Sequence, residues 1–157
     1  MKQFFLLLSL TLSLATFAQD IPNVSVKDVN GKVVNFKDII SSDKPFIISF
    51  WATWCVPCIN ELDAISEVYP DWQEETDVTL IAISVDDERT ARRIKALVNG
   101  KAWEYDIYRD FNQALTRAFN IPSVPFVVVI KNGKVVHTHS GYTPGSEDDL
   151  YDIISKK

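Results

Sequence analysis

Cys55 and Cys58 are the only cysteines in the chain, and they stand two residues apart in Trp54-Cys55-Val56-Pro57-Cys58. Residues three apart at the start of a helix lie one turn apart, close enough to close a disulfide. The reacting species in thiol–disulfide exchange is a thiolate, which the free N–H groups and dipole of a helix N-terminus favour. Cys55, at the helix start, is expected to be the exposed attacking thiol. Cys58, one turn in, is expected to be the buried resolving thiol that hydrogen-bonds to it. Pro57 suits the first helical turn, where its missing N–H costs little. Other uses of the pair fit less well. A structural disulfide over so short a separation closes a very small loop and stabilises little. A zinc site wants about four ligands, and no second cysteine pair exists. His137 and His139 share one strand face but lack nearby acids or thiols in the sequence, so they read as exposed strand residues and no metal is expected.

The elements around the motif supply the strand and helix that this chemistry needs. Pro45-Phe46-Ile47-Ile48-Ser49-Phe50-Trp51 is a continuous apolar run of strand length, as for a strand buried on both faces, and the motif follows at once. Ile59, Leu62, Ile65, Ser66 and Tyr69 then recur at helical spacing, with Pro70 as the expected helix end. Upstream, 24–29 and 33–36 read as short strands around the turn signal Asn30-Gly31. Downstream, 78–85 is a second buried strand, and Asp86-Asp87 is expected to cap a helix bearing Ala91, Ile94, Leu97 and Val98, stopped by Asn99-Gly100. An extended piece around Tyr105-Asp106-Ile107 leads to a helix with Phe111, Leu115, Ala118 and Phe119 inward. A hairpin of 126–130 and 134–139 turns at Asn132-Gly133, and a last helix runs from about Ser146 with Leu150, Ile153 and Ile154 inward. Strands alternating with helices before a closing hairpin and helix imply an α/β fold with a mixed central sheet covered by helices on both faces.

With 46% hydrophobic and 24% charged residues in 157, the chain suits one globular domain with a real core. Residues 1–18 read as a signal peptide. Lys2 is the basic start, 4–14 the apolar centre, and Ala15-Thr16-Phe17-Ala18 places small residues before a cut at Gln19. The apolar run is shorter than a spanning helix needs, which disfavours an uncleaved anchor. The mature domain, 19–157, is then expected to be exported to the periplasm. Losing Lys2 leaves it with a formal net charge of −6, and no basic cluster that would suit nucleic acid or an anionic membrane.

The segment Phe50-Trp51-Ala52-Thr53-Trp54-Cys55-Val56-Pro57-Cys58 resembles the active-site segment of the thioredoxin superfamily. With the N-terminal hairpin and the signal peptide, the chain resembles the exported TlpA/ResA-like branch, over roughly Ile21 to the C-terminus. The resemblance implies a thioredoxin-like fold with an N-terminal β-hairpin and a central insertion, which 102–120 would supply. It implies that Pro125 is a cis-proline facing the disulfide, where the absent N–H lets sulfur approach, and that the exposed backbone of Val124 pairs with an extended substrate segment. Gly141 matches a glycine beside the same groove, and Trp54 is expected on the exposed surface, with Trp51 in the core. Ser49 stands where cytoplasmic thioredoxins carry a buried aspartate, so the resemblance implies that no buried proton acceptor lies under the disulfide. Glu61 matches an acidic residue that the ResA-like branch uses near its cysteines, and three residues after Cys58 it lies on the same helix side, placed to relay a proton.

Together these imply an exported thiol–disulfide oxidoreductase that reduces or exchanges disulfides in extracytoplasmic proteins, with apocytochrome c maturation as one pathway. It would act as a monomer, re-reduced by a membrane electron donor, and needs no cofactor beyond the redox-active Cys55–Cys58 disulfide. An oxidant that donates its disulfide is the same-chemistry alternative, since direction depends on relative thiolate stability. A peroxidase would want Thr where Ala52 stands, and a copper-delivery protein three residues between its cysteines.

Overall fold

The computed structural model describes residues 20–40, 42–101 and 103–156, so the expected signal peptide, 1–18, lies outside the described residues. Among these residues seven strands make one sheet: β1 (Ser25–Asp28), β2 (Val33–Asn35), β3 (Phe46–Trp51), β4 (Thr79–Ser84), β5 (Asp106–Arg109), β6 (Phe126–Lys131) and β7 (Lys134–Ser140). Five helices accompany them: α1 (Phe36–Ile39), α2 (Val56–Thr76), α3 (Arg92–Asn99), α4 (Ala114–Ala118) and α5 (Ser146–Ser155). The strand order is β2-β1-β5-β4-β3-β6-β7. β3, β4 and β5 run parallel, with α2 and α3 in the crossovers, and the outer strands pair antiparallel.

Alternation along the central strands divides the core in two. Ile47 and Trp51 of β3, Leu80 and Ala82 of β4, and Val127 and Val129 of β6 face α2 and α5 and pack on Leu62, Ile65, Leu150 and Ile154. Ile48, Phe50, Ile81, Ile83, Val128 and Ile130 face the other way, onto Phe36, Leu115 and Phe119. Six consecutive buried residues in β3 follow from this double coverage. The mixed sheet with helices on both faces is therefore as expected.

The structure corrects several local expectations. Phe36 does not extend β2. Asn35 accepts the Lys37 N–H and starts α1, which buries Phe36 completely. Pro70 does not end its helix; α2 runs six residues further, to an αL cap at Asp77. Continuation buries Trp72 against Tyr151 of α5, and this packing outweighs the Ser66 carbonyl bond that proline cannot make. Asp87 caps only a turn, accepting the N–H groups of Arg89 and Thr90, and α3 begins later, at Arg92. The extended piece near Tyr105 proves to be an internal strand, β5, which joins the N-terminal hairpin to the rest of the sheet. The β6–β7 register slips between Val129 and Ile130 of β6, so Val135 of β7 sits opposite Ile130 whereas His137 sits opposite Val129. The bulge turns His137 and His139 toward the α2 and α5 side, and both are half-buried rather than exposed.

Pro70 offers a direct test of how tertiary packing and helix propensity compete. Replacing Pro70 with Ala restores the missing donor in α2 and should raise stability, by up to about 3 kcal/mol. Urea denaturation of the two proteins measures it; an unchanged or lowered midpoint would show that Pro70 is favoured where it stands.

Candidate active site

β3 ends at Trp51, and the chain makes one tight turn before α2, with the Cys55 N–H donating to the Ala52 carbonyl at 3.0 Å. Cys55 is the N-cap of α2, in extended backbone (φ −96°, ψ 94°), and Pro57 falls in the first turn. The sulfur of Cys55 accepts the Cys58 N–H at 3.3 Å, one of the donors that a helix start leaves free. Cys55 and Cys58 are joined as a disulfide. Cys58 is fully buried, as expected, but Cys55 is only 6% exposed where an exposed thiol was expected, because its bond to Cys58 holds it against the core. Trp54 and Val56, either side of Cys55, are large apolar side chains left in solvent, whereas Trp51 is buried. The surface around the outer sulfur is thus apolar, and the inner sulfur belongs to the core.

Beneath the pair, Glu61 is not a solvated helix acid. It shares the buried stripe of α2 with Cys58, Leu62 and Ile65, and is 2% exposed. Ser49 of β3, fully buried, donates its hydroxyl to Glu61 Oε2 at 3.1 Å. A buried carboxyl group therefore does lie against β3 on this face. It is contributed by the helix, and the strand supplies only a hydroxyl. Loss of hydration raises the Glu61 pKa from 4.5 to about 7; the Ser49 hydrogen bond opposes the rise and Glu147 adds to it. Such a group can hold or release a proton near neutral pH.

The Val124–Pro125 peptide bond is cis, as expected, and Pro125 is buried. Phe126 pairs with Phe50 at the end of β3 from which the cysteine turn leaves, so this loop and the motif lie at one edge of the sheet. Val124 is half-buried and packs against the cluster that holds both cysteines. Gly141 closes the loop from β7, donating its N–H to the Pro125 carbonyl at 2.9 Å with φ +83°. Pro122 is an exposed turn residue. Trp54, Cys55, Cys58, Glu61, Val124, Pro125 and Gly141 are thus all placed around one end of β3 and the start of α2.

Two supports were not read from the sequence. Asp86, expected as a helix cap, turns inward and is 1% exposed, bonded to Thr53 and Ser84. Its place at the end of a buried strand was the available signal. The other is a strap, where Lys101 and Trp103 both donate to Asp63 of α2 and Tyr105 donates to the Leu62 carbonyl. Trp103 bridges the rings of Trp51 and Tyr105. Among the described residues no three His, Cys, Asp or Glu side chains are grouped to hold a metal ion.

Comparison with known proteins points the same way. The AhpC/TSA family profile matches residues 17–138. The thiol-disulfide oxidoreductase ResA of Bacillus thuringiensis (strain Al Hakam) is 32% identical over 119 residues, 75% of this chain, and the chain spans only 66% of that relative's length. A thioredoxin-like protein from Porphyromonas gingivalis, solved in solution, is 44% identical with a TM-score of 0.76, covering 87% of this chain and 90% of that one. StoA from Bacillus subtilis shares the fold, with a TM-score of 0.65 at 19% identity, over 83% of this chain and 99% of its own.

Glu61 makes stability depend on pH. Its folded pKa of about 7 lies above the ordinary 4.5, so the fold favours the protonated form. Its contribution is complete below pH 4.5 and is lost as pH rises through about 7, a change of about 3 kcal/mol. Glu61→Gln should flatten this dependence and stabilise the oxidised protein above neutrality. Urea denaturation at about pH 5 and about pH 8 decides it, because parallel losses in both proteins would mean that Glu61 does not titrate in this range.

Proposed function

Because the chain belongs to the AhpC/TSA family and is a TlpA/ResA-like member of the thioredoxin superfamily, we propose that it is a thiol–disulfide oxidoreductase acting on extracytoplasmic proteins. The observation that carries this reading is the Cys55–Cys58 disulfide at the N-terminus of α2, with one sulfur beside exposed Trp54 and Val56 and the other buried in the stripe that holds Glu61.

In the reducing direction the Cys55 thiolate attacks one sulfur of a substrate disulfide. A mixed disulfide forms and one substrate thiolate leaves. Cys58 then gives its proton to the Glu61 carboxylate and attacks the Cys55 sulfur. The Cys55–Cys58 bond closes, the second substrate sulfur departs as a thiolate, and two electrons have passed to the substrate. The amide of Cys58 and the open end of α2 stabilise the Cys55 thiolate, and Glu61, with a pKa near neutrality, is matched to receive a proton. Trp54 and Val56 offer apolar contact to the substrate, while Val124, Pro125 and Gly141 border the opposite side, where an extended segment would lie along the Val124 backbone. The disulfide is the only redox group this chemistry needs, and a membrane donor would restore the dithiol.

Export is supported by the character of residues 1–18 and by the resemblance to the exported TlpA/ResA-like branch. No helix among the described residues is long and apolar enough to cross a membrane. Apocytochrome c is one substrate that the family resemblance suggests.

Equilibration with glutathione or dithiothreitol should give a reduction potential of about −270 mV or lower, and a value near about −120 mV would instead make the protein a disulfide donor. Cys58→Ser should accumulate mixed disulfides with substrate proteins through Cys55, visible on non-reducing gels. Accumulation through Cys58 in Cys55→Ser would reverse the two roles.

A further inference from the structure

The exchange steps leave the most deeply placed charge beside the motif without a part. Asp86 is 1% exposed, and its carboxylate spans the gap from β4 to the turn that carries Cys55. Asp86 Oδ2 accepts the Thr53 N–H at 2.8 Å and Oδ1 accepts the Thr53 hydroxyl at 2.7 Å. The carboxylate is aimed from below: Ser84 donates its hydroxyl to Oδ2 at 2.7 Å, and the Asp86 N–H donates to the same Ser84 oxygen at 3.0 Å. The last backbone bond between β3 and β4 runs from the Val85 N–H to the Trp51 carbonyl, at 2.8 Å. Beyond it the side chain of Asp86 continues the ladder. Thr53 is the second residue of the Ala52–Cys55 turn, so whatever fixes Thr53 fixes the approach to Cys55.

The donors to Asp86 are all neutral. A buried carboxylate held by neutral donors is costly unless each bond is made, and that requirement confines the Thr53 backbone and hydroxyl to one arrangement. We propose that Asp86 is a positioning residue for disulfide exchange, locking the Ala52–Cys55 turn through Thr53 so that the Cys55 sulfur stays seated on the open end of α2. The inference rests on Cys55 being the attacking sulfur. It assigns Asp86 a geometric role and not an electrostatic one.

Asparagine can reproduce the bracket without charge, its oxygen accepting from Thr53 N–H and Ser84 and its amide donating to the Thr53 hydroxyl. Serine at 53 keeps the hydroxyl, and valine removes it. The full chain, reduced, is mixed with oxidised glutathione in stopped flow, and Cys55 alkylation by iodoacetamide is followed against pH. Thr53→Val and Asp86→Ala should slow exchange about tenfold or more, whereas Thr53→Ser and Asp86→Asn stay within about threefold of the parent. Thr53→Val should also raise the pH midpoint of alkylation, because the sulfur leaves the helix end. Parent-like exchange and alkylation in Thr53→Val would overturn the proposal. So would a fall of about one unit or more in the alkylation midpoint of Asp86→Asn, which would make the charge the active feature. If the parent itself does not react with glutathione, the exchange reading fails, and the alkylation midpoints still decide the bracket.

Discussion

The turn between β3 and α2 governs the rest of the molecule. A strand buried on both faces needs helices above and below it, and one of them must start where the strand stops. The open end of that helix is then held at the surface by the interior. Cys55 occupies the N-cap, and its sulfur takes a backbone N–H in place of the hydroxyl or carboxylate usual at such positions. β6 runs antiparallel to β3 and therefore brings the Val124–Pro125 loop to the same edge. The grouping of these residues is a property of the sheet register and needs no separate device.

Glu61 shows how such a site carries a charge that the core resists. The helix contributes the acid and β3 contributes Ser49, so that the carboxyl group bridges the two elements that meet at the motif. Burial moves its proton affinity toward neutrality, and the single hydroxyl only partly offsets this. The group is thereby destabilising when ionised, a cost of the kind that functional sites tolerate and structural cores avoid.

Much of this was legible in the residues. Ile47 to Trp51, Leu80 to Ile83 and Val127 to Ile130 announce buried strands by their apolar character, broken only at Ser49, and the cysteine spacing after the first of them marks the site. The errors share a cause. Phe36, Pro70 and Asp86 each carry a strong local signal, for strand, helix end and helix cap, and each was overruled by a partner distant in sequence: the sheet face covered by α1, Tyr151, and Thr53. Glu61 was located by spacing and resemblance, but its burial depends on how far α2 rotates against β3, which no local pattern encodes. The strap from Lys101 to Tyr105 was silent for the same reason, since its contacts are made by side chains on Asp63 and by the backbone of Leu62.

The position of β5 has a consequence for how the chain assembles. β1 pairs only with β2 and β5, so the first described strands are joined to the rest of the sheet by a segment some eighty residues later. During synthesis the hairpin emerges early and must wait, with one edge unpaired, until β5 has docked on β4. Closing that long loop is entropically slow, and the waiting edge is open to other strands in the meantime. Its shortness, four residues in β1 and three in β2, and the lysines at 27 and 32 limit that exposure. An element at the start of the sequence is in this way among the last to find its place.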